Sequence, residues 1–215
     1  MSIGNIVSWR MPRELAIKVF EDIIYLKLSF ENSFTHHLIQ AQLEPRDRAF
    51  SYRLISTTLR RLGQIDQLIS NCLVRPLDKK AKRAYTILRL GVAQLLFLDI
   101  PPHAAVHTSV DLAQKMQQGP YKKLINAVLR RLGREGGKMI KKQDAAKINT
   151  AGWLWKAWTS EFGQETCRKI SEAHLNQPPL DLTAKSNAKM WSKNLSGQLL
   201  NSGTIRIYDY GSVDT

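Results

Sequence analysis

The sequence contains few cysteines and no long hydrophobic run. Only two of its 215 residues, Cys72 and Cys167, are cysteine, too few for the disulfide framework that holds small secreted proteins together. The longest strongly apolar run, residues 90–98, is far shorter than the roughly 20 residues that cross a bilayer. The first 14 residues lack the continuous apolar core of a secretory signal. We therefore expect a cytoplasmic protein with no transmembrane segment.

Motifs of common enzyme sites are also missing. There is no Walker sequence, no nucleophile elbow, no Gly-rich loop between a strand and a helix, and no cysteine pair at zinc spacing. His103, His107 and Asp111 have a spacing that could place metal ligands on one helix face. A helix start followed by two polar surface positions explains them equally well. We predict no catalytic residue and no metal site, and we expect both cysteines to be buried and unreactive.

Acidic residues are scarce relative to basic ones. The chain has 32 Lys and Arg against 18 Asp and Glu, a net charge of +14, and a pI near 10.0. Residues 1–140 hold 22 of the basic and 11 of the acidic residues, so this part carries most of the excess. Such a balance is typical of nucleic-acid-binding proteins. An acidic protein or an anionic membrane surface would be attracted by the same sign of charge.

Hydrophobic periodicity predicts helices throughout the first two thirds of the chain. Apolar residues recur at intervals of three and four, for example in residues 15–24 and 121–132. We predict that Gly63 ends the third helix and that Asp78 caps a long, buried helix reaching Leu98. No strand pattern occurs before residue 140. The fold class is therefore all-α, with about seven helices forming one domain over residues 1–136.

The remaining sequence predicts a linker and an incomplete second unit. Residues 137–150 are polar and aperiodic, which is typical of a linker. Within residues 151–215, a helix running to about Leu175 carries several aromatic residues: Trp153, Trp155, Trp158 and Phe162. They could stack on bases, although helical spacing is more typical of a core or domain interface. Two or three short strands follow, too few to be stable alone.

The basic residues of the first domain form clusters that point to phosphate binding. Arg46, Arg53 and Arg60 recur every seven residues and so form an arginine row along one helix, opposite its packing face. The other candidates begin helices or line their outer faces: Arg10, Arg13, Arg61, Lys79, Lys80, Lys82, Arg83, Lys122, Lys123, Arg130 and Arg131. No carboxylate lies between residues 79 and 89 or between 115 and 134, so we expect no local pairing. A merely solvated helix face is the alternative.

Four segments, in order, carry a family resemblance: RELAIKVFEDI, EPRDRAFSYRLISTTLRRLGQIDQLI, ILRLGVAQLLFLDIPPHAAVHTSVDLA and KLINAVLRRL. They resemble the NusB-like RNA-binding domain at the start of the RsmB (Sun/Fmu) family of bacterial ribosomal RNA cytosine-5 methyltransferases, over residues 11–135. The later segments NQPPLDLTAK and SGTIRIYD are similar to the linker subdomain that precedes the catalytic domain in that family.

The resemblance implies that the chain binds RNA, specifically 16S ribosomal RNA, with a protein partner allowed and no membrane. In the family, S-adenosylmethionine binds a later domain that carries a Gly-rich loop and two cysteines in Pro-Cys and Thr-Cys contexts. Neither Cys72 nor Cys167 has such a context, so we expect no bound cofactor and no enzyme activity from a chain truncated before that domain. The main alternative is an antitermination-type regulator of transcription that binds RNA with a protein partner. An intact enzyme and an inactive remnant are two further alternatives.

Overall fold

The computed structural model describes residues 10–78 and 80–208, apart from the side chain of Arg10. Seven helices make up the first two thirds of this part: α1 (Arg10–Glu21), α2 (Phe30–Ala41), α3 (Pro45–Arg60), α4 (Leu62–Cys72), α5 (Lys82–Phe97), α6 (Pro102–Lys115) and α7 (Lys122–Ile140). A π-helical turn, Asp22–Leu26, extends α1, and a 3-10 turn, Gly119–Tyr121, precedes α7. The predicted all-helical bundle of about seven helices is confirmed.

One hydrophobic core joins these helices around α5. From Thr86 to Leu95 every residue of α5 is buried, and the helix packs against α3, α4, α6 and α7. Helix α1 packs its predicted apolar face into this core, where Leu15, Val19 and Phe20 are at most 3% exposed. The core therefore leaves the outer faces of α3 and α7 to polar and basic side chains.

Two predicted helix ends were wrong. Gly63 lies inside α4 with no left-handed backbone, and the break between α3 and α4 falls at Arg61, where φ is −106°. Asp78 does not cap α5 directly. Its carboxylate accepts the backbone N–H of Lys80 at 2.7 Å, in a turn that precedes the helix, and Ala81 occupies the cap position.

Residues 137–150, which the sequence predicts to be a linker, are partly helical. Helix α7 continues through Gly136 and Gly137 to Ile140, and a short helix, α8 (Ala145–Ile148), follows. The side chain of Asn149 accepts the backbone N–H of Gln64 at 3.1 Å and donates to its side-chain oxygen at 2.9 Å. This segment therefore lies against α4. The division into separate domains at residue 136 stays a prediction.

The C-terminal segment combines a helical hairpin with a small sheet. Helix α9 (Gly152–Ala173) is interrupted at Gly163, where φ is +79° and ψ is +164°, a conformation that is essentially restricted to glycine. The chain reverses there, because the thiol of Cys167 lies 3.7 Å from the carbonyl oxygen of Trp155, whereas twelve residues of straight helix would span about 18 Å. The single continuous helix predicted here was wrong.

A three-stranded antiparallel sheet follows the hairpin, and the predicted strands are confirmed. Its strands are β1 (Leu180–Thr183), β2 (Gln198–Leu199) and β3 (Thr204–Ile207), in the order β1-β3-β2, with the short helix α10 (Ala188–Asn194) between the first two. Leu182 and Leu199 both pair with Ile205, which is 1% exposed. Within the residues that the structure describes, no helix is long and apolar enough to cross a membrane.

Candidate nucleic-acid interface

The arginine row lies on the outer face of α3. Arg46 and Arg53 are exposed and Arg60 is half-buried, and at 1.5 Å per residue the row extends over about 21 Å. Within the part of the chain that the structure describes, none of the three side chains has an ion-pair or hydrogen-bond partner. They are therefore open to a ligand.

Packing of the opposite face fixes the orientation of this row. Leu54 and Ile55 are fully buried. The buried hydroxyl of Ser51 lies 3.0 Å from the carbonyl oxygen of Pro12 and 2.8 Å from that of Asp47, so it can donate to either and holds α3 against the start of α1. Rotation of α3 about its axis is thereby prevented.

Arg13 has a structural role in this arrangement. Its guanidinium lies 4.6 Å from the centre of the Phe50 ring, and its Nε donates to Oε1 of Gln94 at 2.7 Å. Burial lowers the pKa of Arg13 to about 10, although the charge of Asp47 acts in the opposite direction. Arg13 thus joins α1, α3 and α5, and its predicted contact with RNA stays a prediction.

At the end of α3, Arg61 faces a different neighbour. Its guanidinium lies 5.4 Å from the centre of the Phe97 ring and donates to Oε1 of Gln64 at 3.1 Å. Arg53, Arg60 and Arg61 line one cleft of about 190 Å³ together with residues 175–177. We call this the junction cleft, because the bundle and the C-terminal segment both contribute to it.

The basic cluster before and at the start of α5 contains no carboxylate, as expected, but it is partly neutralised by an acid that is distant in the sequence. Arg83 donates to both carboxylate oxygens of Glu21, at 3.2, 3.2 and 2.8 Å, and the hydrogen bond with Glu21 raises the pKa of Arg83. Lys82 is exposed, with its ammonium 5.2 Å from the centre of the Tyr25 ring. Lys80 is exposed as well, whereas Lys79 lies outside the described residues.

The basic residues of α7 are divided in the same way. Lys122 and Lys123 are exposed and have no ion pair among the described residues. Arg131 pairs with Glu135 at 3.0 Å, just beyond the stretch in which no carboxylate was found, and Arg130 donates to Asn126 at 3.2 Å. The expectation of no local pairing was therefore wrong for Arg131.

The candidate residues do not all converge on one place. Arg83 pairs with Glu21 at the end of α1, about 12 Å along the helix axis from Arg13, and Arg131 lies near Cys72 at the end of α4. The structure brings together Arg53, Arg60 and Arg61. The side chain of Arg10 lies outside the described part, and the assignment of these residues to RNA stays a prediction.

Asn176 and Gln177 also line the junction cleft and were not singled out from the sequence. They follow α9 and lie more than 100 residues after Arg60 along the chain. No local pattern connects such distant positions, so only the reversal at Gly163 could have indicated that they approach α3.

The other candidate groups are metal ligands and the two thiols. Among the described residues, no group of three His, Cys, Asp or Glu side chains could hold a metal ion. Cys167 is buried as predicted, whereas Cys72 is only half-buried. Partial burial is the main cause that raises the pKa of Cys72. Neither thiol is therefore placed to act as a nucleophile.

Aromatic residues of α9 are partly exposed. Trp153 is 73% and Phe162 50% exposed, while the Trp158 ring lies edge-to-face with His174 at 5.4 Å. The guanidinium of Arg168 lies 5.8 Å from the ring centre of Trp155. Trp155 and Trp158 thus serve to hold the hairpin together.

Comparison with protein families matches the chain to the NusB family over residues 10–134. It is 30% identical over 173 residues to proteins named "Ribosomal RNA small subunit methyltransferase B" from Shigella boydii serotype 18 and Escherichia coli O1:K1. Each match covers 80% of this chain and 40% of the relative. Because 173 residues exceed those available up to residue 134, these matches include part of the C-terminal segment.

Two solved structures share the fold of the bundle. A chain in "Crystal Structure of a Plectonemic RNA Supercoil" matches with a TM-score of 0.54 and 23% identity, and the match covers 62% of this chain and 97% of that one. A chain in "Crystal Structure of Antitermination Factors NusB and NusE in complex with dsRNA" matches with a TM-score of 0.51 and 24% identity, over 58% and 95% of the two chains. At these identities the likeness concerns the fold alone.

Proposed function

Since this chain belongs to the NusB family, whose sequence model matches more than half of it, we propose that it binds RNA through the helical domain of residues 1–136. The observation that carries the proposal is the arginine row. Three guanidinium groups without carboxylate partners among the described residues lie along about 21 Å of one rigid helix. Such a row suits a polyanionic ligand that carries its charges at regular intervals.

Ribosomal RNA is the RNA that we propose. The relatives are small-subunit ribosomal RNA methyltransferases by name, and their match continues beyond the family domain, which an antitermination-type regulator would not require. This chain spans 40% of the length of those relatives. We therefore propose RNA binding in the cytoplasm for this chain, and methyl transfer is the activity that the relatives' name gives to the whole relatives.

Binding in this proposal is electrostatic positioning. Each Lys or Arg that neutralises a phosphate releases condensed counterions, which favours association at low salt. Contacts to the phosphate backbone fix the position and orientation of the protein without selecting a sequence. Lys122 and Lys123, which are exposed at the start of α7, would add to this attraction.

Fluorescence anisotropy with 16S ribosomal RNA fragments at several salt concentrations tests the proposal. If four to six residues contact phosphates, the logarithm of the association constant should fall with the logarithm of salt concentration with a slope of about −3 to −5. A slope near zero would exclude electrostatic binding. Crosslinking in cells should recover 16S ribosomal RNA, whereas recovery of nascent transcripts instead would favour the regulator.

Charge-matched triple variants test the arginine row itself. Replacing Arg46, Arg53 and Arg60 with Gln should weaken binding and reduce the magnitude of the slope by about 1.4 to 2.7, which corresponds to the loss of two to three phosphate contacts. The control replaces Lys138, Lys141 and Lys142, which are exposed, carry no ion pair among the described residues and lie outside the candidate set. Equal losses in both variants would mean that only the net charge matters, and circular dichroism verifies that each variant is folded.

A further inference from the structure

The junction cleft is half-open and has a basic lining. Its walls come from the end of α3, the end of α5 and the segment after α9, and three of its nine lining residues are arginines. No carboxylate belongs to the lining: Arg53, Thr57, Arg60, Arg61, Phe97, Leu98, Leu175, Asn176 and Gln177. The cleft thus concentrates positive charge without an internal counterion.

The volume of this half-open cleft indicates how large a group can sit inside it. At about 30 Å³ per water molecule, 190 Å³ holds roughly six waters, which is room for the five heavy atoms of a phosphate group. Pockets for organic ligands and cofactors occupy about 300–1,000 Å³. The cleft therefore suits a single phosphate group better than a whole nucleotide.

Arg61 is held in place before any ligand arrives. Its contacts with Phe97 and Gln64 fix the plane of the guanidinium, so little side-chain entropy would be lost on binding. Burial lowers the pKa of Arg61, and the neighbouring charge of Arg60 lowers it further. An anion between the two would relieve this repulsion.

The other donors are free to turn toward a ligand. Arg53 and Arg60 have no partner among the described residues, and the same holds for the side chain of Gln177. Asn176 differs, because its Nδ2 donates to the carbonyl oxygen of Glu172 at 3.2 Å. Gln177 is therefore the neutral donor that the C-terminal segment offers.

We propose that the junction cleft binds one phosphate group of an RNA strand, held by Arg53, Arg60 and Arg61 from the bundle and by Gln177 from the C-terminal segment. This site rests on the proposed RNA binding and adds to it a specific contact. Because residues of both parts hold the same ligand, bound RNA stabilises their relative arrangement.

Nuclear magnetic resonance on the full chain tests the site directly, with the oligonucleotide r(U)12 and inorganic phosphate as separate probes. The Nε–H signals of Arg60 and Arg61 and the side-chain amide signal of Gln177 should shift with r(U)12 and saturate together with its anisotropy. Shifts with inorganic phosphate alone, and none with r(U)12, would overturn RNA as the source of the phosphate.

Variants separate the cleft from overall charge. Replacing Arg53 and Arg60 with Gln should abolish the shifts at Arg61 and Gln177 and reduce the magnitude of the salt slope for r(U)12 by about 0.7, the value for one phosphate on a single strand. The charge-matched control, Lys141→Gln with Lys142→Gln, should keep the cleft shifts. If the control loses them too, the cleft is not a specific site.

The experiments distinguish failure of the cleft proposal from failure of the RNA-binding proposal. Binding of r(U)12 by anisotropy with unmoved cleft signals would overturn the cleft proposal and leave RNA binding intact. Absence of any binding to r(U)12 and to ribosomal RNA fragments would overturn the proposed function, and the RNA site with it.

Discussion

Arg89 in α5 and Asp66 in α4 form a two-point salt bridge, with Nε–Oδ1 and Nη2–Oδ2 distances of 2.7 Å each. The arginine side chain is 11% exposed, and its guanidinium lies 4.3 Å from the centre of the Tyr85 ring. Burial by itself would lower the pKa of Arg89, but the hydrogen bond and the charge of Asp66 raise it overall. The arginine therefore stays charged, and it depends on Asp66 for compensation.

Replacing Asp66 with Asn should destabilise the bundle by about 3 kcal/mol, because it leaves a buried guanidinium without its counterion. Urea denaturation, followed by circular dichroism, measures this change in the free energy of unfolding. The matched control is Asp181→Asn, which breaks the two-point pair with the more exposed Arg206 and should cost less than about 1 kcal/mol. Equal losses would show that burial does not strengthen the pair in α4 and α5.

Gly63→Ala should destabilise the protein by about 1–3 kcal/mol, a typical cost of overpacking. A Cβ atom at this position would overlap the carbonyl oxygen of Ile148, and a backbone atom cannot move aside cheaply. Gly137→Ala is the control, because its Cβ would meet no atom within 4 Å and alanine favours the helix by roughly 0.5–1 kcal/mol. Thermal denaturation should separate the two variants, and a neutral Gly63→Ala would mean that residues 145–149 do not lie against α4 in solution.

The pair between Asp144 and Arg168 should make the attachment of α9 sensitive to acid. The Arg168 side chain donates to both carboxylate oxygens, at 3.0 and 2.7 Å, and this hydrogen bonding lowers the pKa of Asp144 below its ordinary value of 3.8. A carboxyl with a lowered folded pKa stabilises the fold above its unfolded pKa, and the contribution is lost as pH falls through the folded value.

Asp144→Asn should therefore cost about 0.2–1 kcal/mol near neutral pH, and the difference from wild type should shrink as pH falls below 3.8 toward the lowered folded pKa. Tryptophan fluorescence during urea denaturation at each pH measures it, since the ring of Trp155 lies near Arg168. Glu161→Gln, at an exposed carboxylate without a partner among the described residues, should show no such dependence. A difference that does not shrink at all between about pH 5 and pH 2 would contradict the assignment to this carboxylate.

Helices of the bundle could be predicted from the sequence because each buries one apolar face. The periodicity of α1 and α7 matches their buried residues, such as Leu15, Phe20, Ile125 and Leu132. The outward position of the arginine row followed from the same periodicity. Local pattern suffices where the packing partner of a helix is the common core.

Contacts between distant segments could not be predicted in this way. Gly63 resembles a helix stop in sequence, yet it is required for close approach to Ile148, 85 residues later in the chain. Arg83 finds its carboxylate in Glu21, 62 residues earlier, so the search for nearby acids could not detect it. The residues that complete the junction cleft were missed for the same reason.

Gly163 decides where the chain goes after the bundle. A continuous helix from Gly152 to Ala173 would place its end about 32 Å away from its start. With the turn at Gly163, the chain doubles back and residues 175–177 return to α3 and α5. Gly163 has the backbone freedom that this turn requires. The turn thus brings the chain that follows residue 177 to the basic end of the bundle.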